Sequence, residues 1–226
     1  EMGALVGGAY ASTKSMNQFE WLVFKVREDL FKDSGVNLSR LFGTSTNGDR
    51  LNQTLTQIFG ETRIEGLKIP FRSEAIEVGS SETMNFDSGL VSLSVRAALA
   101  IPGFIRPLEF EKGKFESSAG IRPFPVEVAR VLSVGPVVVV DLVQDGVNRT
   151  SGEQTADETK YQNFIRQNLN QAHAELEQAD LILRPDLSAI GFWDFSKKNS
   201  AMFAGEKCVQ NHLNDLRNLA GLDTQP

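Results

Sequence analysis

Apolar residues recur at helical spacing in several stretches of the chain. Between Asn17 and Phe31 they are Phe19, Leu22, Val23, Val26 and Leu30, one face of an amphipathic helix. Asp49 to Phe59 repeats the pattern with Leu51, Leu55 and Ile58 and stops at Gly60, a common helix terminator. Gly3 to Ser12 (GALVGGAYAS) differs, because Gly3, Ala4, Gly7, Gly8 and Ala11 are all small. It is too short to span a bilayer, so it is read as a buried helix that another backbone can approach closely. Leu67 to Val78 looks extended, and Gly79-Ser80-Ser81 can turn it back into Glu82 to Phe86. Val91 to Ala100 is a helix of small and apolar residues halted by Pro102-Gly103. Phe104 to Phe115 suggests two short strands joined around Lys112-Gly113.

Pro123 and Pro125 bracket a loop before a short helix, Val126 to Leu132. Val137 to Val140 is a continuous apolar run ending at Asp141, the pattern expected of a central parallel strand. Residues 145–158 are polar and are the best candidate for a flexible surface loop. Thr159 to Gln178 reads as one long helix with Phe164, Ile165, Leu169, Ala172 and Leu176 on its apolar stripe. Leu181 to Leu183 is a last strand and Ala201 to Leu219 a terminal helix. This order predicts an α/β fold, helices flanking a mainly parallel sheet, in one domain over residues 1–226.

Composition narrows the function. The 226 residues carry a net charge of −6 and 41% hydrophobic residues, values of an ordinary globular chain with no bias toward nucleic acid, whose binders cluster Lys and Arg. No apolar stretch approaches the ~20 residues of a membrane span. A single cysteine, Cys208, excludes an intrachain disulfide and a Cys-rich zinc site, and fits a reducing compartment. The two histidines, His173 and His212, lie on predicted helices without metal-ligand spacing. Gly43-Thr44-Ser45-Thr46-Asn47-Gly48 has the look of a nucleophile turn, but lacks a preceding apolar strand and reads as a cap for the helix at Asp49. Asp141 ends a strand where α/β sites gather. Arg96 and Arg106 either pair with acidic neighbours or meet a lipid phosphate. Phe104, Ile105, Phe110 and Phe115 either pack the core or line an acyl channel, with core packing the default.

Six segments in order, MGALVGGAYAS, FGETRIEGLKIPF, SVRAALAIPGFIRPLE, IRPFPVEVARVL, VVVVDLV and ADLILRPDLSAIGFWDFSK, resemble bacterial patatin-like phospholipases. The resemblance implies a three-layer α/β fold and cofactor-free hydrolysis of lipid or phospholipid acyl esters, of phospholipase A or lysophospholipase type, by a protein of the bacterial cytoplasm or membrane periphery. In that family a serine in a G-x-S-x-G elbow attacks, an aspartate in a D-G-G or D-G-A motif serves as base, and a Gly-rich loop stabilises the oxyanion. An unassisted serine is a poor nucleophile, and backbone donors at the oxyanion are worth several kcal/mol.

Met2-Gly3-Ala4-Leu5 matches the end of the elbow, which puts Glu1 at the nucleophile position. Ser117-Ser118-Ala119 falls at the D-G-G motif, which puts Ser117 at the aspartate. Neither residue can play the family's part: serine is no base near neutral pH, and glutamate brings negative charge to the oxyanion's place. Glu116 is one residue away from the aspartate position, but neighbours on an extended segment face opposite sides. The expectation is a lipid acyl hydrolase domain with impaired catalysis, the alternative a lipid-binding or regulatory pseudoenzyme. The chain opens on its elbow helix without a preceding strand, so the oxyanion loop is expected to lie outside it. An exposed sheet edge beside Val137 to Val140 that pairs with another chain follows from the same reading.

Overall fold

The computed structural model describes residues 1–13, 15–25, 48–80, 82–111, 113–132, 135–144, 156–192 and 194–222. Two compact units divide the chain, Glu1–Ala119 and Gly120–Pro226. The first begins with α1 (Met2–Ser12), α2 (Met16–Lys25) and α3 (Asp49–Phe59). Strands β1 (Ser73–Glu77) and β2 (Thr83–Phe86), helix α4 (Val91–Ala98) and strands β3 (Leu108–Phe110) and β4 (Gly113–Ser117) follow. The second part of the Asn17–Phe31 prediction, the Ser45 turn and most of the loop over residues 145–158 lie outside the described residues.

The four strands form one sheet in the order β2-β1-β4-β3, and every neighbouring pair is antiparallel. This corrects the mainly parallel sheet expected above. Consecutive strands joined by a few residues can only run antiparallel, since a parallel return needs a long crossover. The β1–β2 turn is closed by the Ser80 N–H on the Glu77 carbonyl at 2.9 Å and by the Glu82 N–H on Ser80 Oγ at 3.0 Å.

Helix α4 is the hub of this unit and touches α1, α3, β1 and β4. Its Val91, Val95 and Ala97 are wholly buried, as are Leu51 and Leu55 of α3. Arg96 points from α4 into the same interior. Its Nε donates to Asn52 Oδ1 at 2.6 Å and its Nη2 to the Arg106 carbonyl at 3.0 Å. Burial pulls its pKa down, opposed by the attraction of Asp49. The guanidinium is therefore an internal tie between α3, α4 and the chain at Arg106, and its place in the interior removes the lipid-phosphate reading. Gly48, just before α3, has φ 74°, and a Cβ there would stand 2.7 Å from Arg96 Nη2. Only glycine satisfies both the left-handed backbone and that close approach.

The second unit contains α5 (Val126–Leu132), β5 (Val138–Val140), α6 (Ala156–Arg166), α7 (Leu169–Leu176), β6 (Leu181–Leu183), α8 (Lys198–Asn211) and α9 (Leu213–Leu219). Its core joins Phe124, Val126, Val137, Ala172 and Leu176. Strands β5 and β6 pair in parallel, with α6 and α7 in the crossover. The valine strand is not the buried centre of a sheet as expected. Among the described residues it pairs with β6 alone, and Val138 and Val140 are 39% and 53% exposed.

The expected long helix is two. It breaks at Asn168, which leaves helical geometry at φ −134°, ψ 37° and donates its side-chain amide to the Gly120 carbonyl at 2.9 Å. The terminal helix likewise divides at His212, whose Nδ1 lies 2.9 Å from the Cys208 carbonyl. Among the described residues no helix is long and apolar enough to cross a membrane.

Arg122 ties α7 to α5. Its Nε donates to Glu175 at 2.6 Å and its Nη2 to Glu127 at 2.7 Å. The Glu175 side chain is only 8% exposed, and burial raises its pKa above the ordinary value against the opposing pull of Arg122. Ionising Glu175 thus costs the folded chain more than the unfolded one. That share of stability is full below the ordinary glutamate range and is lost as pH rises through the raised value. Arg122→Gln removes the compensating cation. It is expected to lower unfolding free energy by about 3 kcal/mol near neutral pH and by clearly less in mild acid, as read from urea unfolding at the two conditions.

Candidate functional site

Glu1 caps the N-terminus of α1, its carbonyl accepting the Ala4 N–H at 2.9 Å. Helix α1 carries no charged residue of its own. It lies against α4 because Gly8 has no side chain. A Cβ at Gly8 would stand 3.2 Å from Val91 Cγ1, 3.2 Å from Val95 Cγ2 and 3.3 Å from Phe71 Cζ. Ser117 ends β4 and is tied to the other end of α4, its N–H donating to the Ala100 carbonyl at 3.0 Å. One helix therefore sets the position of both residues.

The result is a contact between positions 116 residues apart: the Ser117 hydroxyl donates to Glu1 Oε1 at 3.5 Å. Ser117 Oγ also accepts the Ala119 N–H at 3.3 Å, so the hydroxyl is oriented from both sides. Ser117 is 3% exposed, whereas Glu1 is partly exposed. A carboxylate at the first turn of a helix also meets the positive end of the helix dipole, a contribution of about 0.3–1 kcal/mol.

The neighbours do not add a base. On β4, Glu116 lies opposite Ile76 while Ser117 lies opposite Ala75, so the alternation turns Glu116 to the other face of the sheet. There burial raises its pKa. Ser118 is buried and its hydroxyl donates to the Glu74 carbonyl at 3.4 Å, a loop-packing role.

Asp141, Ile105 and Phe115, also singled out in the sequence, have structural surroundings. Asp141 is 2% exposed. Its Oδ1 accepts the N–H groups of Val143 and Gln144, each at 2.9 Å, and its Oδ2 accepts Arg184 Nε at 3.0 Å. It stops β5 and holds the segment after β6. Ile105 and Phe115 are buried, and Phe115 makes an edge-to-face contact with Phe86 at 5.6 Å, which is core packing. His173 is exposed. Among the described residues no cluster of His, Cys, Asp or Glu could hold a metal ion. Reasoning from sequence missed the parts of Gly8, Phe71 and the Ala100 carbonyl. The small-residue run of α1 signals a close approach, but nothing in it names the partner.

The site thus brings a carboxylate at the N-terminus of a tightly packed helix into contact with a hydroxyl at a strand end. A family model described as patatin-like phospholipase matches residues 1–130. An uncharacterized NTE family protein of Mycobacterium tuberculosis is 24% identical over 147 residues, 64% of this chain and 39% of its own length. A second one from that organism is 26% identical over 191 residues, 74% of this chain and 33% of its own length. The rat patatin-like phospholipase domain-containing protein 7 is 23% identical over 145 residues, 62% of this chain and 11% of its own length. The chain belongs to the patatin-like phospholipase family. It spans well under half the length of each of these relatives.

The close packing at Gly8 is testable. Gly8→Val puts an isopropyl group, a Cβ and two methyls, into space already filled by Val91, Val95 and Phe71, and is expected to destabilise the chain by about 1–3 kcal/mol. A drop in the urea midpoint at unchanged slope checks this.

Proposed function

We propose that the chain is a lipid acyl hydrolase domain of phospholipase A or lysophospholipase type in which acyl transfer is impaired while acyl-lipid binding is kept. The observation that carries this reading is the Glu1–Ser117 contact. The family resemblance puts the nucleophilic serine at Glu1 and the aspartate base at Ser117, and the two side chains meet at 3.5 Å. A glutamate at the elbow cannot act as the acyl-transfer serine, and its charge opposes the oxyanion that must form beside it. Ser117 has a carboxylate partner but is itself buried, and it has no basic group of its own. The packing of α1, α4 and β4 is intact around the pair, which supports retention of the binding site. We read the two compact units as parts of one patatin-like domain, because the family match runs across the boundary between Ala119 and Gly120.

A fluorophosphonate probe and a short-chain acyl ester test the loss of chemistry. The expected outcome is no specific labelling and no saturable turnover above background. Labelling mapped to Ser117, or to Ser45, contradicts it. Binding is checked separately with a fluorescent fatty-acyl lipid, for which saturable binding at micromolar concentration without product release is expected.

A further inference from the structure

The break between α6 and α7 has no cause in the local sequence. Phe164, Ile165, Leu169, Ala172 and Leu176 recur at helical spacing straight through it, and Ile165, Ala172 and Leu176 are buried on its two sides. No proline or glycine stands between Ala156 and Leu176, so this stretch is able to run as one helix. Only Gln167 and Asn168 depart from it. Asn168 starts α7, its carbonyl accepting the Ala172 N–H at 3.0 Å, yet its side chain makes no bond to that helix. It donates to the Gly120 carbonyl at 2.9 Å instead. Phe164 lies against the same glycine, so closely that a Cβ on Gly120 would run into its ring. Gly120 is buried, and a buried carbonyl needs a donor. The bent segment thus grips Gly120 twice, once by contact and once by a hydrogen bond.

Gly120 closes the short helical turn Ser118–Gly120, and the Ala119 N–H within that turn donates to Ser117 Oγ at 3.3 Å. We propose that the bend at Asn168 is a conformational clasp on the segment that follows Ser117. Closed, it holds Gly120 and keeps the Ala119 N–H on the Ser117 hydroxyl. Open, Ala156 to Leu176 runs as one helix and that N–H is released. Two effects oppose each other here. A separate α7 leaves the N–H groups of its first turn without partners inside the helix, and a continuous helix bonds them. The Asn168–Gly120 bond and the Phe164 contact favour the bend. One neutral hydrogen bond is a modest restraint, so a single substitution is enough to shift the balance.

Hydrogen exchange at single amides of the whole chain, read by NMR, separates a clasp from plain loss of packing. Asn168→Ala removes the donor and raises helix propensity at the bend. The Ala119 amide is then expected to exchange at least about tenfold faster, the scale of one net hydrogen bond. The Leu169, Asn170 and Gln171 amides are expected to exchange about threefold or more slower, because they gain helical partners. Val95 and Leu99, in and just after α4, keep their rates. Asn168→Asp keeps the size but has no amide proton to donate, and is expected to free the Ala119 amide in the same way. Unchanged or faster exchange at Leu169 to Gln171 in Asn168→Ala reduces Asn168 to a packing bond and overturns the clasp. An Ala119 amide as protected in either variant as in wild type overturns it as well.

Discussion

The contact of α1 with α4 at Gly8 governs the geometry of this chain's first unit. Three carbon atoms, from Val91, Val95 and Phe71, stand within ordinary or tighter van der Waals reach of where a Cβ would be. The missing side chain lets the two helices approach, and the approach fixes where Glu1 stands at the head of α1. The other end of α4 fixes Ser117, through the Ala100 carbonyl and the Ser117 N–H. Dispersion and burial along α4 thus hold a polar pair in register that a single 3.5 Å hydrogen bond could not hold alone, since such a bond contributes only about 1 kcal/mol net. Arg96 strengthens the same frame from within, joined to Asn52 and to the Arg106 carbonyl.

On that frame the proposed reading sets a glutamate and a serine at the two positions where the family resemblance puts serine and aspartate. Catalysis by a serine–carboxylate pair depends on the order of the groups as well as on their distance: the neutral nucleophile outside, the charged base inside. Exchange keeps the two functional groups, the formal charge and the contact, and reverses the order. Charge that would draw a proton from a serine instead stands where negative charge must develop on the substrate. In that reading a small change in side chains removes acyl transfer without disturbing packing, so the family relationship of residues 1–130 is compatible with impaired catalysis.

Local periodicity made much of the fold legible. Helix α3 follows from Leu51 and Leu55, both of which are buried, and α5 from its apolar spacing after Pro125. The hairpin signals at Gly79 and Gly113 were also present, and they already implied antiparallel neighbours. The alternation of helices and strands along the chain points instead to a parallel sheet. The helix breaks at Asn168 and His212 were not legible, because polar residues on a helix look alike whether their side chains face water or bond to a distant carbonyl. For Asn168 that carbonyl belongs to Gly120, 48 residues away. The valine strand misled for a related reason, since an apolar run records a tendency to be buried, not which neighbours cover it. The site was legible only through motif likeness. Nothing in spacing or periodicity places Glu1 beside Ser117, and the two meet through the tertiary packing of α4.

The central claim is that Glu1 and Ser117 form one coupled pair, and a double-mutant cycle tests it most directly. Unfolding free energies of wild type, Glu1→Gln, Ser117→Ala and the double variant give the coupling between the two side chains. A hydroxyl donating to a carboxylate in this setting predicts a coupling of about 0.5–1.5 kcal/mol. Strict additivity of the two substitutions within error would contradict the contact, and with it the account of an exchanged site.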